Sequence, residues 1–224
     1  MKTAPSIATE GARRGRPRTI TRERIADAGI EIGLPNITIV GVAARLGVSH
    51  MALYKHVRGL EALKRLVAEE IFDRWRLPQP QDSGCGDLER YLVRFSSSMW
   101  QLIDQHPGLA PYLLRRDTIT PSMMAKIAAH QERIAEGYGV SITRSRWILF
   151  TISYHCVALA DTVHADGAND DVPPLEQPGK VPAAFAGIDP EHALGVRALI
   201  VGALAVIGAA GGDDPGYPGS DHRP

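Results

Sequence analysis

Residues 37–57 read ITIVGVAARLGVSHMALYKHV, and this stretch decides the fold. Ile39, Val42, Ala43 and Leu46 recur at i, i+3, i+4 and i+7, the one-face stripe of an α-helix that Thr38 is placed to cap. Gly47 stands where a helix end wants a left-handed residue, and Ser49 is positioned to cap a further helix over 50–56. That helix packs through Leu53 and Val57. Two short helices joined by a tight glycine turn form a helix-turn-helix. In this motif the second helix offers its exposed side chains to base edges in the major groove, while the first braces it across the backbone.

Working outward, Thr21 caps a first helix over about 22–33, with Glu23 in the favourable first turn and Ile25, Gly29 and Ile32 at helical spacing. Leu34-Pro35-Asn36 ends it, because the residue before a proline avoids the α region. On the other side a fourth helix over about 59–76 carries Leu60, Leu63, Val67 and Ile71 on one face. The Pro-, Gln- and Gly-rich stretch Leu77–Gly86 reads as a domain boundary.

Helical spacing continues beyond it. Asp87 caps a helix bearing Leu88, Leu92, Phe95, Met99 and Leu102, which Pro107 stops, and a short helix follows over about 108–116. Thr120-Pro121 opens a helix carrying Met124, Ile127 and Ile134. Ser141 opens a long one, to about 164, with Trp147, Phe150, Tyr154, Val157 and Asp161. A proline-rich acidic loop spans 166–187, and Asp189-Pro190-Glu191 starts a last helix that reaches about Ala209. No run of alternating residues argues for a sheet. The expected fold is all-α: a disordered basic arm over 1–20, a three-helix DNA-binding domain over 21–68, a larger helical ligand-binding and dimerisation domain over 69–210, and a flexible tail over 211–224.

Of the 224 residues, 44% are hydrophobic and 22% charged, which is a globular composition rather than a disordered one. The formal charge is zero, but residues 1–76 carry a net +6 and residues 77–224 a net −6. One end suits a polyanion and the other does not. Two cysteines, Cys85 and Cys156, are too few for a disulfide framework and suit a reducing compartment. No apolar segment follows Met1, and the apolar run Ala198–Ala210 is shorter than the ~20 residues a spanning helix needs. The expectation is a cytoplasmic protein without membrane contact.

No nucleophile elbow, P-loop, dinucleotide fingerprint or Ser/His/Asp order is present, so the chain is expected not to be an enzyme. Histidine and cysteine spacing gives no metal site, and no cofactor is expected.

Thr38, Val42-Ala43, Leu46-Gly47-Val48-Ser49, Leu53-Tyr54, His56-Val57 and Leu63 together resemble the TetR family of bacterial transcriptional regulators. The resemblance covers about residues 20–68 and is specific in its combination of LGVS with LYKHV. It implies a homodimer that binds a palindromic operator in double-stranded DNA, most often as a repressor. It also implies a helical body enclosing a small-molecule effector, whose binding shifts the fourth helix and so the separation of the two reading heads.

Carried over residue by residue, the resemblance puts His50, Met51 and Ala52 against bases, with the cap Ser49 among the DNA-binding residues. Met51 and Ala52 suit a thymine methyl and His50 a base edge. Tyr54 and His56 match phosphate-contacting positions, with Tyr54 equally suited to a core place with a wet hydroxyl, and Lys55 reaches phosphate or guanine. Val40 and Leu60 depart from the family, which often has Arg and Lys there. Their loss shifts weight to Thr38, Arg45, Arg58 and the arm. In the arm, Arg14-Gly15-Arg16 followed by Pro17-Arg18 resembles an AT-hook that slides into a narrow A·T-rich minor groove, the alternative being a solvated tail.

For the effector, candidate contacts are Phe95, Met99, Trp100, Ile103, Tyr112, Met123, Ile127, Trp147, Phe150 and Tyr154, with His130, His155 and Asp161 as polar groups on apolar helices. The same spacing serves a plain core. Ala198, Gly202, Ala205 and Ala209 give the last helix a small-residue face for close approach of a second helix, and with the Trp147 helix they suit the dimer interface that the family uses. A competing function is architectural: an A·T-preferring DNA binder that uses the arm and head without ligand control.

Overall fold

The computed structural model describes residues 20–83, 87–165, 185 and 190–209. Nine α-helices and no strand occur among them. These are α1 (Arg22–Ile32), α2 (Ile39–Leu46), α3 (His50–Leu53), α4 (Leu60–Arg74), α5 (Leu88–Gln105), α6 (Ala110–Leu114), α7 (Pro121–Tyr138), α8 (Ile142–Ala165) and α9 (Pro190–Ala209). Single 3-10 turns sit at Leu34–Asn36 and Pro80–Ser83. The arm, most of the loop over 166–187 and the tail lie outside the described residues.

The capping expected from the sequence is present at each helix of the head. Thr21 Oγ1 accepts from the Arg24 amide at 3.3 Å, Thr38 Oγ1 from Gly41 at 2.9 Å and Ser49 Oγ from Ala52 at 3.2 Å. Each satisfies a first-turn N–H with no partner inside its own helix. Gly47, at φ 69°, donates to Ala44 O while Val48 donates to Ala43 O, both at 3.0 Å, the paired bonds of a Schellman end. A left-handed turn of this kind folds α3 sharply back against α2.

In the head the structure departs from the sequence reading in two places. The helix expected over 50–56 is regular only to Leu53. Tyr54–His56 continue it as tight turns, with Lys55 N–H on Ala52 O and His56 N–H on Leu53 O. That tightening lets Leu53 and Val57 both reach the core before Gly59 opens α4. Leu60, expected on the buried stripe of α4, is exposed. It is the first residue of the helix, and burial begins a turn later at Leu63, followed by Leu66, Val67 and Ile71.

One core runs through the molecule. Ile25, Ile37, Val42, Leu53, Leu63 and Val67 join α1–α4, and Leu92, Ile103, Ile134, Ile148, Ile152 and Ile200 continue it through the body. Each such side chain, taken fully from water, contributes about 1.5–3 kcal/mol before chain entropy is counted. α5 and α8 form the central pair, with α7 and α9 on either side of it. Salt bridges Arg22–Glu69 and Arg74–Asp27 tie α1 to α4 on the solvent side at 2.9 and 2.6 Å.

Gly29 makes the α1–α4 crossing possible. A Cβ there would lie 2.3 Å from Val67 Cγ2. Gly29→Ala is expected to destabilise the protein by about 1–3 kcal/mol through overpacking, against the gain alanine usually gives inside a helix. Gly195→Ala, where a Cβ meets open space, is the control and should be neutral or stabilising. Urea denaturation of both variants checks this, and equal effects would mean that the α1–α4 crossing is not tightly fixed.

Candidate functional site

α3 and the turns around it present a mixed surface. His50, Lys55, His56 and Arg58 are exposed, as is Met51 at 63% and Tyr54 at 48%, while Ala52 is half-buried. Tyr54 is therefore not a core residue. Beside α3, Val40 on the first turn of α2 is 68% exposed. Val40 and Met51 are bare apolar groups within a polar patch. Thr38 and Ser49 spend an oxygen lone pair on capping and keep a hydroxyl proton to donate. Arg45 is held by Glu31 of α1, whose Oε2 accepts from its Nε at 2.6 Å. To reach a phosphate it must leave that pair, which is exposed and therefore weak. Arg14, Arg16 and Arg18 lie outside the described residues.

α4 leads from this surface into the body, and its C-terminal end is fastened there. Lys126 of α7 donates to the carbonyls of Phe72, Asp73 and Trp75, each at 2.7 Å, with its ammonium 5.4 Å from the centre of the Phe72 ring. The last carbonyls of a helix have no partner within it and carry the negative end of its dipole, so a cation is favoured there. Partial burial pushes the Lys126 ammonium below its ordinary range. Trp75 Nε1 donates to Ser98 Oγ of α5 at 2.9 Å, so the end of α4 is held by two helices of the body.

Against that end lies a cavity of about 130 Å³. Its walls are Phe72, Trp75 and Leu77 after and within α4, Phe95 and Met99 of α5, Leu113 and Leu114 of α6, and Ile119 before α7. Met123, Ile127, His130 and Gln131 of α7 and Leu149, Phe150, Ser153, Tyr154 and Val157 of α8 complete it. No lining side chain carries a full charge. The buried pair Tyr91–His130 stands at its edge, with the phenol oxygen 2.7 Å from His130 Nε2. His130 Nδ1 is buried without a partner. Burial, aided by Arg133 and Lys126, lowers the His130 pKa to about 4.

Seven candidates from the sequence meet at this cavity: Phe95, Met99, Met123, Ile127, His130, Phe150 and Tyr154. Trp100, Ile103, Tyr112, Trp147 and His155 do not line it. Trp100 turns to the far side of α5, its ring 6.0 Å from that of His192 on α9, and Ile103 is sealed in the core. Tyr112 has its pKa raised by burial and, secondarily, by Glu61 of α4 beside it. Trp147 packs against the core, and His155 is half-buried elsewhere on α8. Asp161, a further turn along, is also off the cavity. The sequence reading missed Phe72, Trp75 and Lys126, because a helix periodicity shows which face is buried but not which helix end another helix will cap. Among the described residues no cluster of His, Cys, Asp or Glu could hold a metal ion.

No family model matches the chain. A transcriptional repressor of the helix-turn-helix type from Streptomyces coeruleorubidus, DrrR1, is 32% identical over 117 residues, which are half of this chain and 42% of the relative. The chain thus matches less than half the length of that protein. Among solved structures, a TetR variant from Acinetobacter baumannii in complex with minocycline superposes with a TM-score of 0.63 at 20% identity, over 84% of this chain and 99% of that one. ActR of Streptomyces coelicolor gives 0.61 without ligand, at 21% identity over 88% and 99%. In complex with (S)-DNPA it gives 0.59, at 22% identity over 86% and 100%. The all-α fold is that of the TetR-type regulators.

The depressed His130 pKa has a consequence for stability. Native His130 stays neutral down to about pH 4, whereas in the unfolded chain it takes a proton near pH 6.5. The unfolded state therefore binds more protons between those values. Stability from this group is complete above pH 6.5 and is lost as pH falls towards 4, by roughly 3 kcal/mol in all. Denaturation midpoints measured from pH 7 to pH 4.5 should fall less steeply in His130→Phe than in the parent. Parallel slopes would mean that the native imidazole titrates normally.

Proposed function

We propose that this chain, which has the fold of the TetR-family regulators, is a ligand-responsive transcriptional regulator that binds a palindromic operator as a homodimer and represses until an effector releases it. The observation that carries the reading is the shared wall between head and cavity. α4 leaves the helix-turn-helix at Leu60 and ends, by way of Phe72 and Trp75, as a side of the apolar cavity. An effector seated there touches the helix that carries the head. Because two half-sites lie about 34–36 Å apart, a small tilt of α4 in each protomer breaks the register between heads. An effector that prefers the tilted state releases DNA by shifting the population.

The head supplies the chemistry. His50, Met51 and Ala52 read base edges, with Met51 against a thymine methyl. Tyr54, Lys55, His56, Arg58, Thr38 and Ser49 hold phosphates and fix register. Exposed Val40 adds an apolar contact where the family often places a cation. Arg14, Arg16 and Arg18 of the arm enter an adjoining minor groove.

Dimerisation uses α8 and α9. Ala198, Gly202 and Ala205 are exposed, with Val201 at 49% and Val206 at 50%, while Val196, Ile200, Ala203 and Ile207 bury the opposite stripe. An exposed apolar helix face this long is out of place on a solitary chain. The similar structures of TetR and ActR hold minocycline and (S)-DNPA respectively. A cavity with no charge in its walls suits an effector that is likewise largely apolar.

Incubating the purified protein with sheared genomic DNA near physiological salt, then sequencing what is retained, tests the reading. A few enriched fragments sharing an inverted repeat are expected. Broad enrichment of A·T-rich DNA without a repeat would establish the architectural alternative in its place. On an enriched fragment, Tyr54→Ala should weaken binding by about 1–3 kcal/mol, as loss of a phosphate contact does, and by a similar amount on unrelated DNA. Unchanged affinity would remove Tyr54 from the interface.

A further inference from the structure

We propose that the crevice between the head and α5 binds a small organic carboxylate, with its anionic end on Arg76 and its apolar body against Trp75. This site is separate from the effector cavity and stands whether or not that cavity is filled. The crevice measures about 270 Å³, about twice the apolar cavity, and Trp75 is a wall of both. Its floor is Ile30 of α1, Ile71 and Trp75 at the end of α4, and Leu102 of α5. Arg74, Arg76, Ser98, Gln101, Gln105 and His106 stand around that floor.

The charge of this lining has one sign. Two guanidinium groups line it and no carboxylate does. Arg74 is already neutralised, since its Nε donates to Glu70 at 2.8 Å and its Nη2 to Asp27 at 2.6 Å. Arg76 has no ion-pair partner among the described residues, which leaves one positive charge over. His106 agrees with this: burial lowers its pKa, whereas a carboxylate beside it would raise it. The imidazole and the two amides add donors and acceptors without adding charge. A cation in a cleft with apolar walls attracts an anion more strongly than one on an open surface, because low-dielectric walls focus its field.

DNA on the head does not supply that anion. Arg76 follows the C-terminal end of α4, while α3 precedes its N-terminal end, and the helix between them has 15 residues, a length of about 22 Å. An inorganic anion would satisfy Arg76 but leave the apolar floor facing water. A ligand that fills the crevice therefore has two parts. Its carboxylate meets the guanidinium fork through two parallel N–H donors, and its apolar body covers Ile71, Trp75 and Leu102. The volume exceeds the ~150 Å³ at which an apolar cavity accepts benzene, so a two-ring body fits. The apolar cavity offers such an acid no counter-ion, which directs it to the crevice instead.

Titration calorimetry on the full-length protein without DNA compares three probes: 2-naphthoate, its neutral isostere 2-naphthamide, and acetate. 2-Naphthoate should bind at least about tenfold tighter than either of the others, since one lacks the charge and the other the apolar body. Arg76→Gln, at an exposed position, should weaken 2-naphthoate about tenfold and leave 2-naphthamide within about threefold. Phe150→Ala, in the apolar cavity, should leave 2-naphthoate within about threefold of the parent. Acetate binding as tightly as 2-naphthoate would mean a surface cation without a site, and overturns the proposal. So does equal affinity for acid and amide, or a 2-naphthoate affinity unchanged in Arg76→Gln. A loss in Phe150→Ala as large as that in Arg76→Gln would place the probe in the other cavity and overturn it too. If no probe binds, this proposal fails, while the operator and effector readings stand as they were.

Discussion

The ammonium of Lys126 under the end of α4 is the contact on which the rest of the architecture depends. Three carbonyls at one helix terminus converge on one cation, at 2.7 Å each. Together with the Trp75 Nε1–Ser98 Oγ bond it directs the last turn of α4 into the body, where Phe72 and Trp75 meet the cavity. With it, the head and the body share a rigid strut. Lys126 stands one turn from Met123 and one from His130 along α7, and both of these line the cavity. Hydrogen bonds to a charged donor contribute about 1.5–3 kcal/mol each when made well, enough to bias the position of a helix without locking it.

The head is rigid for a different reason. Three side-chain caps and one left-handed glycine satisfy helix ends within a stretch of about thirty residues, leaving little backbone freedom. The close crossing at Gly29 then locks α1 onto α4. A surface held in this way keeps its exposed side chains in register. Its exposed apolar groups, Val40 and Met51, cost little on so small a patch.

The fold was largely legible in the chain. The stripe Ile39–Val42–Ala43–Leu46, the caps Thr38 and Ser49, and Gly47 specify the turn by local chemistry alone, and each stands where the sequence places it. Boundaries were legible to within a few residues, except where tertiary packing decides them: α3 shortens because Val57 must reach the core, and Leu60 is exposed because it opens α4 a turn before the buried face begins at Leu63. The cavity was half legible. Phe95, Met99, Met123 and His130 lie on amphipathic faces that periodicity reveals, yet the same periodicity offered Trp100 and Ile103, which face other helices. Which of several buried faces borders empty space depends on how helices cross, and no single helix carries that information. The Lys126 clamp is long-range in the same sense, joining residues more than fifty positions apart.

The proposed function requires that the reading head and the cavity be coupled through α4 and Lys126. Hydrogen exchange on the free protein and on its complex with a captured DNA fragment tests this most directly, because it needs no knowledge of the effector. DNA is expected to change protection beyond the contacted residues, in the last turns of α4 around 70–75 and in α7 around 123–130. Changes confined to residues 20–58 would contradict it.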